Sequence, residues 1–363
     1  MPLSTTDPRM AQLRTAMAPD EPVLPGTAVV VTTSGSTGAA KGVELSAAAL
    51  TASAAATHAR LGGPGQWLLT LPPHHIAGVQ VIVRSLLAGL PPVIRGSQTF
   101  ADAVASMNGP RRYTSLVPTQ LLRLLDETAG LDALRTFDAV LLGGAATPAP
   151  LLARARAAGV TISTTYGMSE TAGGCVYDGK PLDGVRVRLD DGVIHLAGPM
   201  LASGYRLDPS ATAAAFAGGW FRTTDLGELH PDGTLSVLGR ADFVINTGGV
   251  KVAPSAVEAA LATHPGVAEA CVVDLPSEEW GQLVAAAVVP ADPASPPEVS
   301  TLRDTVREQL GAPAVPKLVR FADHLPLRGP GKVDRDHLPR PEPALLDDRR
   351  LIGLHHARLG AGD

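Results

Sequence analysis

Cysteine is nearly absent: the 363 residues hold only Cys175 and Cys271, far apart and without metal-ligand spacing, so neither a disulfide framework nor a zinc site is supported. Free thiols are expected. Nor is there an excess of base. The formal net charge is -5, with 18% charged and 45% apolar residues, the balance of an ordinary globular protein rather than of a nucleic-acid-binding or disordered one. Long hydrophobic runs are missing too. Residues 1–20 contain no apolar run of the signal-peptide kind, and no stretch reaches the roughly 18 apolar residues of a membrane span. A cytoplasmic protein without membrane insertion is expected. There is no internal repeat, and the length suffices for two domains with a sizeable core.

What the chain does have is a loop dense in hydroxyls and glycines, Val31-Thr-Thr-Ser-Gly-Ser-Thr-Gly-Ala-Ala-Lys41-Gly-Val43, directly behind an apolar strand at 28–31. This is the composition of a phosphate cradle. Gly35 and Gly38 permit positive φ angles that turn backbone N–H groups inward, Ser34, Ser36 and Thr37 add hydroxyls, and Lys41 adds a positive charge. It is not a Walker loop, because Lys41 follows Ala40 and precedes Gly42. A flexible linker would not be expected between a β-branched strand and a second apolar segment at 43–45.

Between residues 28 and 165, short apolar runs at 67–71, 113–117, 139–142 and 160–164 alternate with helical patterns, which predicts βαβ units and a largely parallel sheet. The alanine-rich stretch 46–60 reads as a helix with Ser46 as N-cap. After Asp178 the texture changes to hairpins: runs 185–189 and 193–196 flank Asp190-Asp191-Gly192, and runs 227–230 and 235–238 flank Pro231-Asp232-Gly233. A smaller α+β unit follows, with helices at 255–263 and 301–310 and strands at 269–274 and 284–289. The expected fold is therefore α/β: a large N-terminal domain (1–240) with mostly parallel sheets between helices and a hairpin-rich subdomain, then a small mobile α+β domain (241–363).

Further polar clusters stand at predicted strand ends, where parallel sheets present ligand sites. Thr165-Tyr166-Gly167-Met168-Ser169-Glu170-Thr171 offers an aromatic ring to stack on a base and a carboxylate to hold magnesium. Gly143, Gly144 and Ala145 allow a flat ligand to approach the backbone, although a helix-entry turn capped by Thr147 accounts for them equally well. Asp225 lies in Phe221-Arg-Thr-Thr-Asp225-Leu-Gly227. A long block follows, Gly239-Arg-Ala-Asp242-Phe-Val-Ile-Asn-Thr-Gly248-Gly249-Val-Lys-Val-Ala-Pro254, with Glu258 after it. Near the C-terminus Lys332 sits on a Gly/Pro-rich turn in Gly331-Lys332-Val-Asp-Arg335. The alternative for Asp225 and Arg240 is a salt bridge or a turn cap, and for Lys332 a solvated surface lysine.

In order and spacing these blocks resemble those of the adenylate-forming superfamily of acyl-CoA synthetases, adenylation domains and luciferases, from about Thr27 to Arg335. The resemblance implies ATP, magnesium and coenzyme A as cofactors or co-substrates. It implies that Thr33 to Lys41 hold the triphosphate, that Gly143 to Ala145 and Tyr166, within the ATP-contacting run Thr165 to Ser169, reach the adenine, and that Glu170 with Thr37 holds magnesium. Asp225 and Arg240 would hold the ribose, Asp242 would be the hinge, Gly248 and Gly249 would face CoA, and Lys332 and Glu170 would be catalytic, with Lys332 bridging the carboxylate and the α-phosphate. The pattern departs at Ser169 and Thr224, where Thr and Gly are usual, and in the short segment ahead of the phosphate loop, which implies a reduced subdomain and a possible homodimer surface.

The run Pro73-His74-His75-Ile-Ala-Gly-Val-Gln80-Val-Ile-Val-Arg84 reads as a buried helix carrying one full charge. A buried guanidinium needs an anion, either an internal carboxylate or the substrate, and Gln80 lies one turn away on the same face. With the truncated length and the other motifs, this run resembles the o-succinylbenzoate-CoA ligases of menaquinone biosynthesis. That resemblance implies a substrate with two carboxylates, one activated and the other held by Arg84, with His75 as a hydrogen-bonding partner. The expected activity is an ATP-dependent, AMP-forming acid–thiol ligase. The competing readings are a ligase for another aryl or acyl acid and a decayed nucleotide-binding scaffold.

Overall fold

The computed structural model describes residues 17–18, 20–34, 40–327 and 333–338. Gly35, Ser36, Thr37, Gly38 and Lys332 lie outside the described residues. The described chain falls into two compact units, one made by residues up to Thr147 and Arg154–Ser236, the other by Pro148–Ala153 and residues from Val237 on.

In the first unit, β1 (Thr27–Ser34) and β2 (Ala40–Ser46) form an antiparallel hairpin, with register Val31 to Val43, Thr33 to Lys41 and Ser34 to Ala40. The strand read at 28–31 lies in this hairpin and not in the parallel sheet. It pairs locally because the phosphate-loop segment is short enough to return the chain directly and a parallel neighbour needs a crossover of a dozen residues or more. After β2, Ser46 caps the helix Ala47–Arg60, its side chain accepting the Ala49 N–H at 3.1 Å.

The main sheet has seven strands in the order β4-β3-β5-β6-β7-β8-β9, namely β3 (Gln66–Leu69), β4 (Val93–Ile94), β5 (Arg112–Leu116), β6 (Ala139–Leu142), β7 (Ile162–Met168), β8 (Gly173–Tyr177) and β9 (Lys180–Pro181). The strands β4, β3, β5, β6 and β7 run parallel, whereas β8 and β9 return antiparallel. The central strands β3 and β6 are buried along their whole length, which is why they read as unbroken apolar runs. The polar cluster Thr165–Met168 does not follow its strand as expected. It is the second half of β7 and pairs antiparallel with β8, with a register shift between Tyr166 and Gly167.

Both predicted Asp-Gly turns are present. The first joins β10 (Arg186–Asp190) to β11 (Val193–Ala197) in full antiparallel register. The second closes with the His230 N–H on the Thr234 carbonyl at 2.9 Å. Two short strands, β12 (Gly204–Tyr205) and β13 (Phe216–Ala217), precede the long β14 (Trp220–Leu229); β12 adds to β2, and β13 and β11 flank β14. The strand β15 (Leu235–Arg240) carries the chain from one unit into the other.

The second unit is α+β. Its sheet runs β17 (Val250–Val252), β16 (Ile245–Thr247), β19 (Gly281–Pro290), β18 (Val267–Ser277), with β20 (Leu318–Phe321) parallel to β19. The helices Pro254–Ala262 and Val299–Leu310 send Val257, Leu261, Leu302 and Val306 into one core with Val272, Val284 and Val288. No helix among the described residues is long and apolar enough to cross a membrane.

Candidate active site

The β1–β2–β12 sheet sets up the first group. Tyr205 lies opposite Val43, so its ring shares a face with Val43 and Lys41, while the next residue, Arg206, projects to the other face beside Glu44. The Lys41 ammonium stands 4.9 Å from the centre of the Tyr205 ring. The Tyr205 hydroxyl donates to Glu170 Oε1 at 3.0 Å. Burial and the Glu170 charge both push the Tyr205 phenol above its ordinary range, so it stays protonated as a donor. One tyrosine thus touches the lysine of the phosphate-loop segment and the carboxylate of the 3-10 turn Ser169–Thr171.

That turn is fixed from three sides. Glu170 O accepts the Ala202 N–H at 2.9 Å, and the Met168 N–H donates to Thr171 Oγ1 at 2.9 Å. Ala172, in the left-handed region at φ 48°, presents its carbonyl to Ser53 Oγ at 3.0 Å and Gln80 Nε2 at 2.8 Å. A side chain at Gly167 would overlap the Gly173 carbonyl, so the close approach of β7 and β8 explains the glycine there. Ser169 itself is buried.

A second group joins β7 to β14. The Tyr166 hydroxyl donates to Asp225 Oδ2 at 2.8 Å. Burial, and then Asp225, raise the Tyr166 phenol far above its usual value, which keeps the proton on the tyrosine. Thr223 Oγ1 accepts the Asp225 N–H at 3.0 Å while donating to Ile194 O at 2.8 Å, and so fixes the backbone beneath the carboxylate. Thr224 is exposed on the opposite side of the strand. Gly143 lies against Thr165, whose Oγ1 a Cβ at 143 would overlap, and Gly144 and Ala145 are exposed beyond it. The candidates for base and ribose are therefore neighbours.

The third group is on the helix Ile76–Ala88. His75 precedes the helix, its ring 4.4 Å from that of His74. Gln80 is fully buried against Ala172 and Leu50, with its Oε1 lacking a hydrogen bond. Arg84, 3% exposed, lies one turn further along the helix, its Nη2 donating to the Tyr177 hydroxyl at 3.3 Å and its guanidinium 4.8 Å from the Trp67 ring centre. No carboxylate among the described residues pairs with it, and its Nε is unsatisfied. Of the two partners open to it, an internal carboxylate is absent among the described residues, and an aromatic face and a phenol lie against the guanidinium. The same Trp67 donates its indole N–H to His58 Nε2 at 3.2 Å, and burial, helped by the Arg84 charge, holds His58 down at about 4.

In the second unit Arg240 grips Asp242 with two hydrogen bonds, Nε to Oδ1 at 2.8 Å and Nη2 to Oδ2 at 2.7 Å, so the expected ribose arginine and hinge aspartate are in contact. Gly248 and Gly249, at φ 58° and 82°, turn the chain between β16 and β17, and a side chain at Gly248 would crowd the half-exposed Trp280. Arg335 pairs with Glu258 at 2.7 Å, tying the segment after Lys332 to the helix Pro254–Ala262.

Among the described residues no group of three or more His, Cys, Asp or Glu could hold a metal. Magnesium carried in by phosphates keeps most of its ligands as water and phosphate oxygen and needs only one or two carboxylates from the protein, a requirement that Glu170 alone is chemically able to meet. Sequence reading missed Tyr205, Thr223 and the buried pair Arg206–Glu44. The available signal was Tyr205-Arg206 itself, an aromatic and a full charge side by side in a segment otherwise rich in small residues.

Comparison with known proteins identifies two family segments in the chain. Residues 4–206 match the AMP-binding enzyme family and residues 256–332 match the AMP-binding enzyme C-terminal domain. A protein of Mycobacterium tuberculosis named probable 2-succinylbenzoate–CoA ligase is 51% identical over 322 residues, spanning 86% of this chain and 84% of that protein. The o-succinylbenzoate CoA synthetase of Bacillus subtilis, solved with the acyl-adenylate intermediate OSB-AMP, superposes with a TM-score of 0.76 at 31% identity, over 87% of this chain and 69% of that one. An amide bond synthetase from Marinactinospora thermotolerans gives the same TM-score at 31% identity, over 86% and 68% of the two chains.

Proposed function

The chain belongs to the AMP-binding enzyme family, and from that membership together with the layout of its site we infer that it is an ATP-dependent o-succinylbenzoate–CoA ligase of menaquinone biosynthesis. The observation that carries the choice of acid is Arg84, a buried cation without a carboxylate partner among the described residues. In a poorly polarisable interior its field reaches beyond contact distance and favours a second anionic group on the bound acid.

The reaction proceeds in two displacements. A carboxylate oxygen of the acid attacks the α-phosphorus of ATP and the bond to pyrophosphate breaks; then the CoA thiolate attacks the acyl carbon and the bond to AMP breaks. The first step brings anions together, so the site must supply positive charge and fixed donors. Lys41 and the hydroxyl-rich loop Thr33 to Gly38 are assigned to the triphosphate, Tyr166 and Gly143 to Ala145 to adenine, and Asp225 and Arg240 to ribose. Glu170 would hold magnesium, which when bound neutralises charge on the phosphates. Lys332 is assigned to the carboxylate and α-phosphate, the hinge at Asp242 to the change between half-reactions, and Gly248 and Gly249 to CoA. We place the enzyme in the cytoplasm with its soluble co-substrates. A homodimer is part of the same reading, and sedimentation velocity tests it.

The deciding experiment is product identification by mass spectrometry with ATP, magnesium, CoA and a panel of o-succinylbenzoate, benzoate and medium-chain fatty acids. Thioester from o-succinylbenzoate alone is the expected result. Turnover of a different acid would remove the menaquinone assignment, and adenylate formed but passed only to added amines would favour the amide-forming alternative that the fold match also admits.

A further inference from the structure

We propose that Tyr205 is a positioning residue of this site, locking the Glu170 carboxylate through its hydroxyl and the Lys41 ammonium over its ring, so that the metal ligand and the phosphate lysine are held in one fixed relation. The proposal rests on the assignment of Glu170 to magnesium and of Lys41 to phosphate made above. Neither the loop nor the turn achieves this relation alone. Lys41 lies on β2 and Glu170 follows β7, so 129 positions separate them, whereas Tyr205 contacts both, at 4.9 Å and 3.0 Å.

The posture of Tyr205 is in turn set from behind. Gly204 and Tyr205 pair with Glu44 and Val43, and the flanking amides of Ser203 and Arg206 donate to Glu44 O at 2.9 Å and Gly42 O at 2.7 Å. Arg206 then forms a buried ion pair with Glu44 at 3.0 Å and donates to the carbonyls of Met17, Ala18, Glu21 and Pro22. With its neighbour clamped on one face of the strand, the tyrosine has little freedom on the other. The ring also packs edge-on to Phe216, 5.7 Å away, which fixes its plane. A tyrosine serving only as core filler would not need its hydroxyl on a carboxylate.

The two contacts are separable by substitution. Tyr205→Phe keeps the ring under Lys41 and removes the hydroxyl from Glu170; Tyr205→Leu removes both. MgATP binding is measured by calorimetry and Mn2+ binding in the presence of ATP by electron paramagnetic resonance, with the melting temperature recorded for each variant. For Tyr205→Phe the metal concentration at half-saturation should rise about tenfold, the size expected for losing a hydrogen bond to a charged group. The melting temperature and the ATP affinity at saturating metal should hold. Tyr205→Leu should lose ATP affinity at saturating metal as well. Glu170→Gln, made alone and with Tyr205→Phe, supplies a cycle: the double variant should show no loss beyond Glu170→Gln. Wild-type metal dependence in Tyr205→Phe, or additive losses in the cycle, would overturn the proposal. Wild-type protein that binds ATP without any magnesium dependence would instead overturn the assignment of Glu170 on which it rests.

Discussion

The hydroxyl of Tyr166 donates to Asp225 across 2.8 Å, joining the polar half of β7 to β14 through residues 59 positions apart. The aromatic ring proposed for the base and the carboxylate proposed for the ribose are thereby held as one unit. Replacing Tyr166 by Phe leaves the ring and frees the carboxylate from its donor. The KM for ATP should rise roughly three- to tenfold with kcat little changed, since a charge-assisted hydrogen bond is lost from the binding of ground state and transition state alike. Pyrophosphate exchange measured against ATP concentration decides it, and an unchanged KM would mean that the pair is only structural.

The Glu44–Arg206 pair predicts a stability effect. Both side chains are about 2% exposed. Burial alone would raise the Glu44 carboxyl, but the Leu24 amide, Arg206 and the Thr27 hydroxyl outweigh it, and the group is held below its ordinary value. Its contribution is therefore complete above the unfolded carboxylate range and fades as the pH falls below it. Glu44→Gln leaves a buried guanidinium with only carbonyl partners and should cost about 3–5 kcal/mol in urea unfolding at neutral pH. A loss below about 1 kcal/mol, the value of an exposed pair, would show that water reaches the site.

His58 gives a pH dependence in a different window. It is 5% exposed, and its value of about 4 in the fold lies below the 6.5 of the unfolded chain. Between these limits the unfolded state binds the extra proton, so stability is full above pH 6.5 and declines as the pH falls toward 4. His58→Gln, which can still accept the Trp67 indole N–H, should flatten that decline when urea midpoints are compared at pH 5 and pH 7.5. An equal slope in the variant would assign the decline to other groups.

Much of the candidate site could be proposed from the sequence because its residues stand in contiguous blocks. Asp-Gly turns, the Ser46 cap and the buried runs of β3 and β6 follow from local rules, and each is found where those rules put it. The pairing of the hairpin β1–β2 was not legible, since an apolar strand followed by a glycine-rich loop reads the same whether the next strand is antiparallel or a crossover away. Tyr205 escaped for a related reason. Its importance depends on β12 adding to β2, a contact between residues about 160 positions apart that no periodicity in either segment announces.

Substitution of Arg84 tests whether its charge is structural or serves the acid. It is buried with an aromatic face and a phenol for company, no carboxylate among the described residues, and an unsatisfied Nε. Removing a buried charge that lacks an ionic partner relieves a desolvation cost, so Arg84→Met should leave folding stability unchanged or increase it. Activity should move the opposite way. With o-succinylbenzoate, kcat/KM should fall at least tenfold, about 1.4 kcal/mol of lost transition-state stabilisation, because the second carboxylate loses the field that offsets its own burial. A monocarboxylate such as benzoate has no second charge to stabilise, and whatever slow turnover it shows should be unaffected. Arg84→Lys keeps the charge but not the planar contact with Trp67, and should retain more of the dicarboxylate activity than Met does. Equal losses for both acids, or a marked drop in stability, would mean that Arg84 serves the packing around Trp67 and Tyr177 and that the second carboxylate is recognised elsewhere.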